Sequence, residues 1–272
     1  MQPIIRIIAV LITTGIAGFF LSTPLNTVLF KYHQDSKHLV EIYEKATSYD
    51  MLFLGASRTH RSIYPKIIDS LCRVNSYNGG VEGGGMNDFM LTLEGYLTNH
   101  PAPKVLVLTI DLSSFFESNN IHYYPQYYPY LNNKAIHTTL SKYGYHVNLM
   151  KALPFLSITD FDDYSKENAI QMLRGKDTSD ALPKGDFEYK GFVSNTDNRI
   201  TKSEPIRYKI DMKIKDESIA SLNEIISECR QHNIRLIFTY APEYNFNLQK
   251  GRTNTDSVFS LITQTANKNH IP

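Results

Sequence analysis

The chain has 272 residues, of which 42% are hydrophobic, and carries 28 Lys and Arg against 27 Asp and Glu. That length suffices for one sizeable core in one or two domains, and the near-neutral balance excludes a nucleic-acid partner gathered by net charge. The two cysteines, Cys72 and Cys229, form no zinc or thioredoxin motif; each falls in a helical pattern and is expected as a buried thiol.

At the N-terminus, Ile4 to Leu21 is apolar except for Arg6, Thr13 and Thr14. A membrane span takes about 20 apolar residues and a signal-peptide core about 7–15. Apolar character resumes with Leu25, Val28, Leu29 and Phe30, and no small-x-small cleavage site follows Leu21. This favours a retained single-pass anchor over residues 1–30 rather than a cleaved signal peptide. Either reading puts residues 31–272 outside the cytoplasm, the anchored form at the cytoplasmic membrane. Arg6 precedes the run while Lys31 and Lys37 follow it, so charge does not set the orientation.

Apolar runs then alternate with helical patterns. Ser36 to Ala46 reads as a helix, and Met51 to Leu54 as a short strand buried on both faces. Tyr64 to Leu71 reads as a helix with Pro65 in its first turn, and Val74 to Tyr77 as a second strand. Met86, Phe89, Met90, Leu93 and Leu97 recur at helical spacing, with Asn87 or Asp88 as cap. Lys104 to Ile110 is the clearest strand. From Asp111 to Glu204 the periodicity lapses, which predicts an insertion or cap over 111–210. Regularity returns with a helix capped by Asp216, a strand from Ile234 to Tyr240, and a helix from Ser257 to Ala266. Strands alternating with helices imply parallel βαβ units, whose ligands gather at the carboxyl ends of the strands.

Gly55-Ala56-Ser57-Arg58-Thr59-His60 follows the first strand. A glycine permits a tight strand-to-helix turn, and a serine there lies near helix N–H groups that favour negative charge. A nucleophilic serine needs that exposure and those oxyanion donors; a plain helix N-cap also uses serine. Thr59 stands where an α/β-hydrolase elbow has its second glycine, so that motif is not met. Asn78-Gly79-Gly80-Val81-Glu82-Gly83-Gly84-Gly85 follows the second strand. Its spacing is that of neither a dinucleotide fingerprint nor a phosphate loop, which excludes nucleotide binding. Beside a candidate serine loop it reads as an oxyanion-hole backbone, or as a flexible turn.

Together these two segments resemble the SGNH (GDSL-type) hydrolases. The resemblance implies that Ser57 is the nucleophile, and that Gly83 and the Ser57 N–H form the oxyanion hole with Asn78 beside them. The N-terminal run, Gly-Ala-Ser-Arg followed by Tyr64-Pro65, and Tyr240-Ala241-Pro242-Glu243 resemble the membrane-anchored branch active in alginate O-acetylation and teichoic-acid D-alanylation. It covers roughly residues 50–110 and 216–272. It implies a serine esterase or O-acyltransferase acting on acyl groups of a cell-envelope glycan, with a membrane-bound acyl-transfer partner. The expected fold is α/β, a three-layer flavodoxin-like parallel sheet with an N-terminal transmembrane helix and a Tyr-rich insertion. No cofactor and no nucleic acid is expected.

Three departures from the family pattern stand out. Ala56 replaces the acid of Gly-Asp-Ser, Asp111 stands where a Gly-x-Asn should follow the third strand, and no Asp-x-x-His follows Ala241. A serine without a base is a weak nucleophile. The expectation is a chain truncated before its last strand and base, with a histidine from elsewhere or a non-catalytic binding protein as the alternatives. His60, three residues along a new helix, is expected to point away from Ser57.

Asp111 either positions a substrate hydroxyl or caps the next turn. Within the insertion, Tyr123, Tyr124 and Tyr127 are candidate substrate-binding residues, since Tyr offers a flat apolar face to a sugar or acyl chain; the same run could simply pack onto the domain. His122, His137 and His146 match no metal spacing, and Asp160, Asp162 and Asp163 read as a solvated loop, so no metal is expected.

Overall fold

The computed structural model describes residues 2–26, 37–116, 121–154, 156, 174, 188–194, 210–211, 213–241, 252–253 and 255–272. The acidic residues Asp160, Asp162 and Asp163, the apolar Val28 to Phe30, and Pro242-Glu243 lie outside them. The elements in order are α1 (Gln2–Asn26), α2 (Lys37–Glu44), β1 (Met51–Leu54), α3 (Ser57–Ser62), α4 (Pro65–Cys72), β2 (Ser76–Asn78), α5 (Met86–Asn99) and β3 (Val105–Thr109). After the long middle segment come α8 (Asp216–Gln231), β7 (Arg235–Thr239) and α9 (Thr255–Asn269).

The chain divides into two units, residues 1–40 with 123–182 and residues 41–122 with 183–272. The second contains a four-stranded parallel sheet in the order β2-β1-β3-β7. Leu52 pairs with Tyr77 on one side and Leu106 on the other, and Leu106 pairs in turn with Leu236. The inner strands β1 and β3 are covered on both faces, which is why they read as unbroken apolar runs: Leu52, Leu54, Leu106 and Leu108 are fully buried on one face, and Phe53 and Val107 are buried on the other. β7 pairs with β3 on one side, and on its other side the Phe238 N–H donates to the carbonyl of Pro272.

Helix α5 packs against α8, and the Ser221 hydroxyl donates to the Asn87 side-chain oxygen across that contact. α5 is capped by Gly85 rather than by Asn87 or Asp88; Asp88, at the third helical position, reaches back to accept the Gly85 N–H, the half of a capping box that a glycine cap allows. α3 ends at Ser62 with Ile63 as its C-cap, and Tyr64, extended because a residue before proline is disfavoured in helix, is the N-cap of α4, which begins at Pro65. Cys229 is buried in α8 as expected, whereas Cys72 is exposed at the last position of α4, next to the equally exposed Leu71.

The insertion carries its own elements. In the first unit these are a 3-10 helix from Tyr124 to Tyr130, α6 (Lys134–Lys142) and α7 (Val147–Ala152). Asn133 caps α6 by accepting the N–H groups of Ala135 and Ile136. Residues 183–210, expected within the insertion, belong instead to the sheet-bearing unit. There β4 (Glu188–Tyr189) and β5 (Phe192–Val193) form a hairpin, and the Lys190 carbonyl accepts the Asn78 N–H. β6 (Ile210–Asp211) pairs in parallel with β8 (Arg252–Thr253).

α1 is a continuous 25-residue helix on which Ile4, Ile7, Val10 and Phe20 are each at least 60% exposed. Among the described residues no helix is long and apolar enough to cross a membrane. The expected span is therefore not upheld. Arg6, Thr13 and Thr14 interrupt a run that already falls short of the ~20 apolar residues a span requires.

Gly95 lies inside α5 with the Tyr43 ring against it: a Cβ there would stand 2.4 Å from Tyr43 Cζ. That ring is buried and its hydroxyl donates to the Leu91 carbonyl, so it has little room to retreat. Gly95→Ala is expected to destabilise the protein by about 1–3 kcal/mol through overpacking, outweighing the ~1 kcal/mol that alanine gains in helix propensity. Urea denaturation measures the sign.

Candidate active site

β1 ends at Leu54, and Gly55 turns out of the sheet with φ +155°. A Cβ at Gly55 would stand 2.1 Å from Thr59 Oγ1 and 3.0 Å from both Cβ and the carbonyl oxygen of Thr109. Only glycine lets the chain leave β1 this close to the end of β3. Ala56 is the N-cap of α3, in extended conformation, and Ser57 is its first helical residue. Ser57 is therefore not the cap. It is partly exposed, and among the described residues neither its hydroxyl nor its N–H has a hydrogen-bond partner.

The next residue fastens this turn to the rest of the sheet. The Arg58 guanidinium forms an ion pair with Asp111, donates to the Ala241 carbonyl at 3.2 Å and lies 5.6 Å from the Tyr240 ring centre. Asp111 follows β3 and Ala241 follows β7, so one side chain joins the carboxyl ends of three strands. Asp111 is 2% exposed. Its carboxylate is engaged by Arg58, and Asp111 stands in the N-cap position of the 3-10 turn Leu112–Phe115, the second of the two places expected for it.

The glycine loop packs directly on α3. A Cβ at Gly80 would come within 2.5 Å of the His60 backbone nitrogen, and the Val81 N–H donates to the Gly55 carbonyl at 2.9 Å. Asn78 holds the two segments together. Its Nδ2 donates to the carbonyls of Thr59 (2.7 Å) and Ile63 (2.8 Å), and its Oδ1 accepts the Gly80 N–H. Fully buried, with both amide hydrogens committed to backbone carbonyls, Asn78 is a clamp and not a side-chain donor to an oxyanion.

Glu82, inside the loop, accepts from Arg61 Nε at 2.8 Å and lies 3.3 Å from His60 Nδ1. The hydrogen bond with His60, then that with Arg61, holds its carboxyl below the usual carboxylate range against the opposing effect of burial. His60 is buried and directed at Glu82, in keeping with the expectation that it points away from the serine turn. Gly83 adopts φ +68°, a left-handed conformation suited to glycine, and among the described residues its N–H has no partner. The imidazole of His122 lies against it: a Cβ on Gly83 would be 2.6 Å from both Cε1 and Nε2 of that ring.

Ser57, Asn78 and Gly83 are thus brought together by contiguous segments, and Asp111 joins them through Arg58. The tyrosines are not shown to join them. Tyr127 is fully buried, which removes it as a substrate-binding surface; Tyr123 and Tyr124 are partly exposed, and the Tyr124 ring packs on Tyr128 and Tyr145 within its own unit. Sequence reasoning missed Arg58, Glu82 and Asp88. For Arg58 a signal existed, since an arginine after β1 and an aspartate after the adjacent β3 are opposite charges at one sheet edge. Among the described residues no group of three or more His, Cys, Asp or Glu could hold a metal ion. No model of a known protein family matches the chain, and no curated protein matches it in sequence.

Two outcomes follow from these contacts. Removing the Asp111 carboxylate leaves Arg58 as an uncompensated, largely buried charge, so Asp111→Ala is expected to cost about 3–5 kcal/mol in chemical denaturation. Glu82 has a lowered carboxyl pKa, so its contribution is complete above the ordinary value of 4.5 and is lost as pH falls through the lowered one. Glu82→Gln should remove that share of the acid-side loss of stability, read as a smaller drop in Tm between pH 5 and pH 3 than the wild type shows. An unchanged drop would remove Glu82 from the linkage.

Proposed function

We propose that the chain is a serine-dependent esterase or O-acyltransferase of the SGNH type, acting on acyl groups of a cell-envelope glycan. The observation that carries this is Ser57, with an unengaged hydroxyl and N–H among the described residues, held at the carboxyl end of inner strand β1 beside a glycine loop whose Gly83 N–H is likewise unengaged. The sheet order supports it. β2-β1-β3-β7 reproduces the first four positions of the flavodoxin-like order, in which the direction of strand addition reverses between the first and third strands. Ligands settle in the crevice at that reversal, and Ser57 follows one of those strands while Asp111 follows the other.

In this reading Ser57 Oγ attacks the acyl carbonyl carbon, and the carbonyl oxygen takes up negative charge. The N–H groups of Ser57 and Gly83 receive it as donors that need no rearrangement at the moment of reaction. The Arg58–Asp111 pair keeps the turn fixed against β3 and β7, and Asn78 keeps the glycine loop fixed against the turn. The alcohol of the ester leaves, and water or an acceptor hydroxyl then takes the acyl group from Ser57. The exposed isoleucines of α1 offer apolar surface to a membrane, consistent with an envelope substrate.

A fluorophosphonate probe tests the nucleophile. Its phosphorus bonds to an activated serine oxygen and fluoride departs. The wild-type protein is expected to be labelled and Ser57→Ala to lose the label; equal labelling of the two would remove Ser57 from the role.

A further inference from the structure

Most of the apolar surface that the described residues leave uncovered belongs to the first unit. Ile67 and Leu71 of α4 are exposed in the sheet-bearing unit; every other large apolar side chain that stands exposed lies either on α1 or in the insertion, where Leu149 is 46% and Leu153 39% exposed. Leu149 is in α7 and Leu153 is its C-cap, with its N–H bonded to the Leu149 carbonyl, so the two lie one turn apart on one side. Val147, which α7 buries, is on the opposite side.

The neighbouring helix is built in the same way. α6 buries Ile136 and Leu140, leaves Lys134, Thr138 and Lys142 exposed, and packs on α7, where His137 Nε2 lies 2.9 Å from Asn148 Oδ1. Each helix keeps one side for the unit and leaves the other uncovered. The charge of the uncovered surface has one sign. Between Glu117 and Asp160 the sequence contains no Asp or Glu, and Lys134, Lys142 and Lys151 are exposed without an ion-pair partner among the described residues. Lys142 Nζ lies 5.5 Å from the centre of the partly exposed Tyr143 ring. Lysines alone suit any anion, and leucines alone suit any apolar face. A lysine lays its methylenes along apolar surface and keeps its ammonium in the headgroup layer, and a tyrosine ring spans the same boundary. Leucine, tyrosine and lysine together therefore match an anionic bilayer surface, whereas nucleic acid offers the charge without the apolar layer.

We propose that the uncovered surface of α6 and α7 docks on a lipid bilayer with anionic headgroups, where Leu149 and Leu153 enter the edge of the acyl layer while Lys142 and Lys151 meet the lipid phosphates. α1, in the same unit, offers its exposed isoleucines to the same kind of surface. The unit then attaches in two ways of different character. The helix does so by apolar burial, which headgroup charge does not govern, and the insertion by an attraction that salt screens. This role belongs to the first unit and holds whether or not Ser57 is a nucleophile.

The test uses the full chain and flotation with vesicles of phosphatidylcholine, either alone or mixed with phosphatidylglycerol. The wild type is expected to bind the phosphatidylglycerol vesicles more tightly, and to lose that preference in salt of about 0.5 M. A lysine near an anionic surface is worth about five-fold in binding, so Lys142→Glu combined with Lys151→Glu is expected to lower affinity for these vesicles by about 20-fold or more. Binding of that variant to phosphatidylcholine, and its Tm, are expected to match the wild type, because both side chains are exposed. The same charge changes at the exposed Lys66 and Lys268 of the sheet-bearing unit are expected to leave the affinity near the wild-type value. Leu149→Ser combined with Leu153→Ser is expected to weaken binding to both vesicle types. If the wild type shows no preference for phosphatidylglycerol, if the Lys142 and Lys151 variant keeps it, or if the Lys66 and Lys268 variant loses as much, the proposal is overturned and the acyl-transfer reading is untouched. If the leucine variant binds vesicles as the wild type does but sediments as a smaller species, the surface belongs to a second copy of the chain, which also overturns it.

Discussion

Asn78 ends β2 with a side chain that is wholly buried, and its hydrogen bonds reach into both halves of the candidate site. Two of them run to carbonyls in and just after α3, and one comes back from Gly80 at the head of the glycine loop. A buried carboxamide is costly unless its donors and acceptor are satisfied, and each satisfied bond is worth roughly 1 kcal/mol. Here satisfaction demands that two segments from adjacent strands occupy one particular arrangement. The spacing of Ser57 from the loop follows from that demand, as does the close approach of Gly80 to the His60 backbone.

A second layer of constraint comes from charge. The Arg58–Asp111 pair gathers the ends of β1, β3 and β7, and Asp111 is almost without solvent. Such a pair contributes little net stability compared with apolar packing, but breaking it is expensive. Its effect is to make the geometry of the strand ends difficult to change. Asp88 acts in the same manner at the far end of the loop, where its two oxygens hold Gly85 and His122. The candidate site is thus built on supports taken from four consecutive parts of the chain.

Much of the sheet was legible beforehand. The four strands were expected near residues 51, 74, 104 and 234, and all four are present, because strands buried on both faces must be apolar throughout. Boundaries shifted by one or two residues, as for β2, where the strand begins at Ser76. Other features were hidden. Ser57 looked as suited to capping as to chemistry until Ala56 proved to be the cap. Asn78 looked like an oxyanion donor because nothing in sequence shows where an amide's hydrogens point. Cys72 is exposed where burial was expected, and Tyr127 follows the packing alternative left open for its run, since burial of a single position at a helix end or in an irregular segment depends on what packs above it.

What the sequence by itself determined is the alternation of elements and the placing of Gly55, Ser57 and the glycine run directly after parallel strands. These follow from local rules: apolar runs demand burial, and glycine permits turns that other residues resist. Only the tertiary structure decided the partners. Residues 58 and 111, 78 and 63, and 83 and 122 are distant in the chain, and their contacts exist because β1 lies between β2 and β3 in one sheet. Strand order is a property of the whole chain's packing, and it brought the serine turn against the loop of glycines, on whose Gly83 a histidine ring rests.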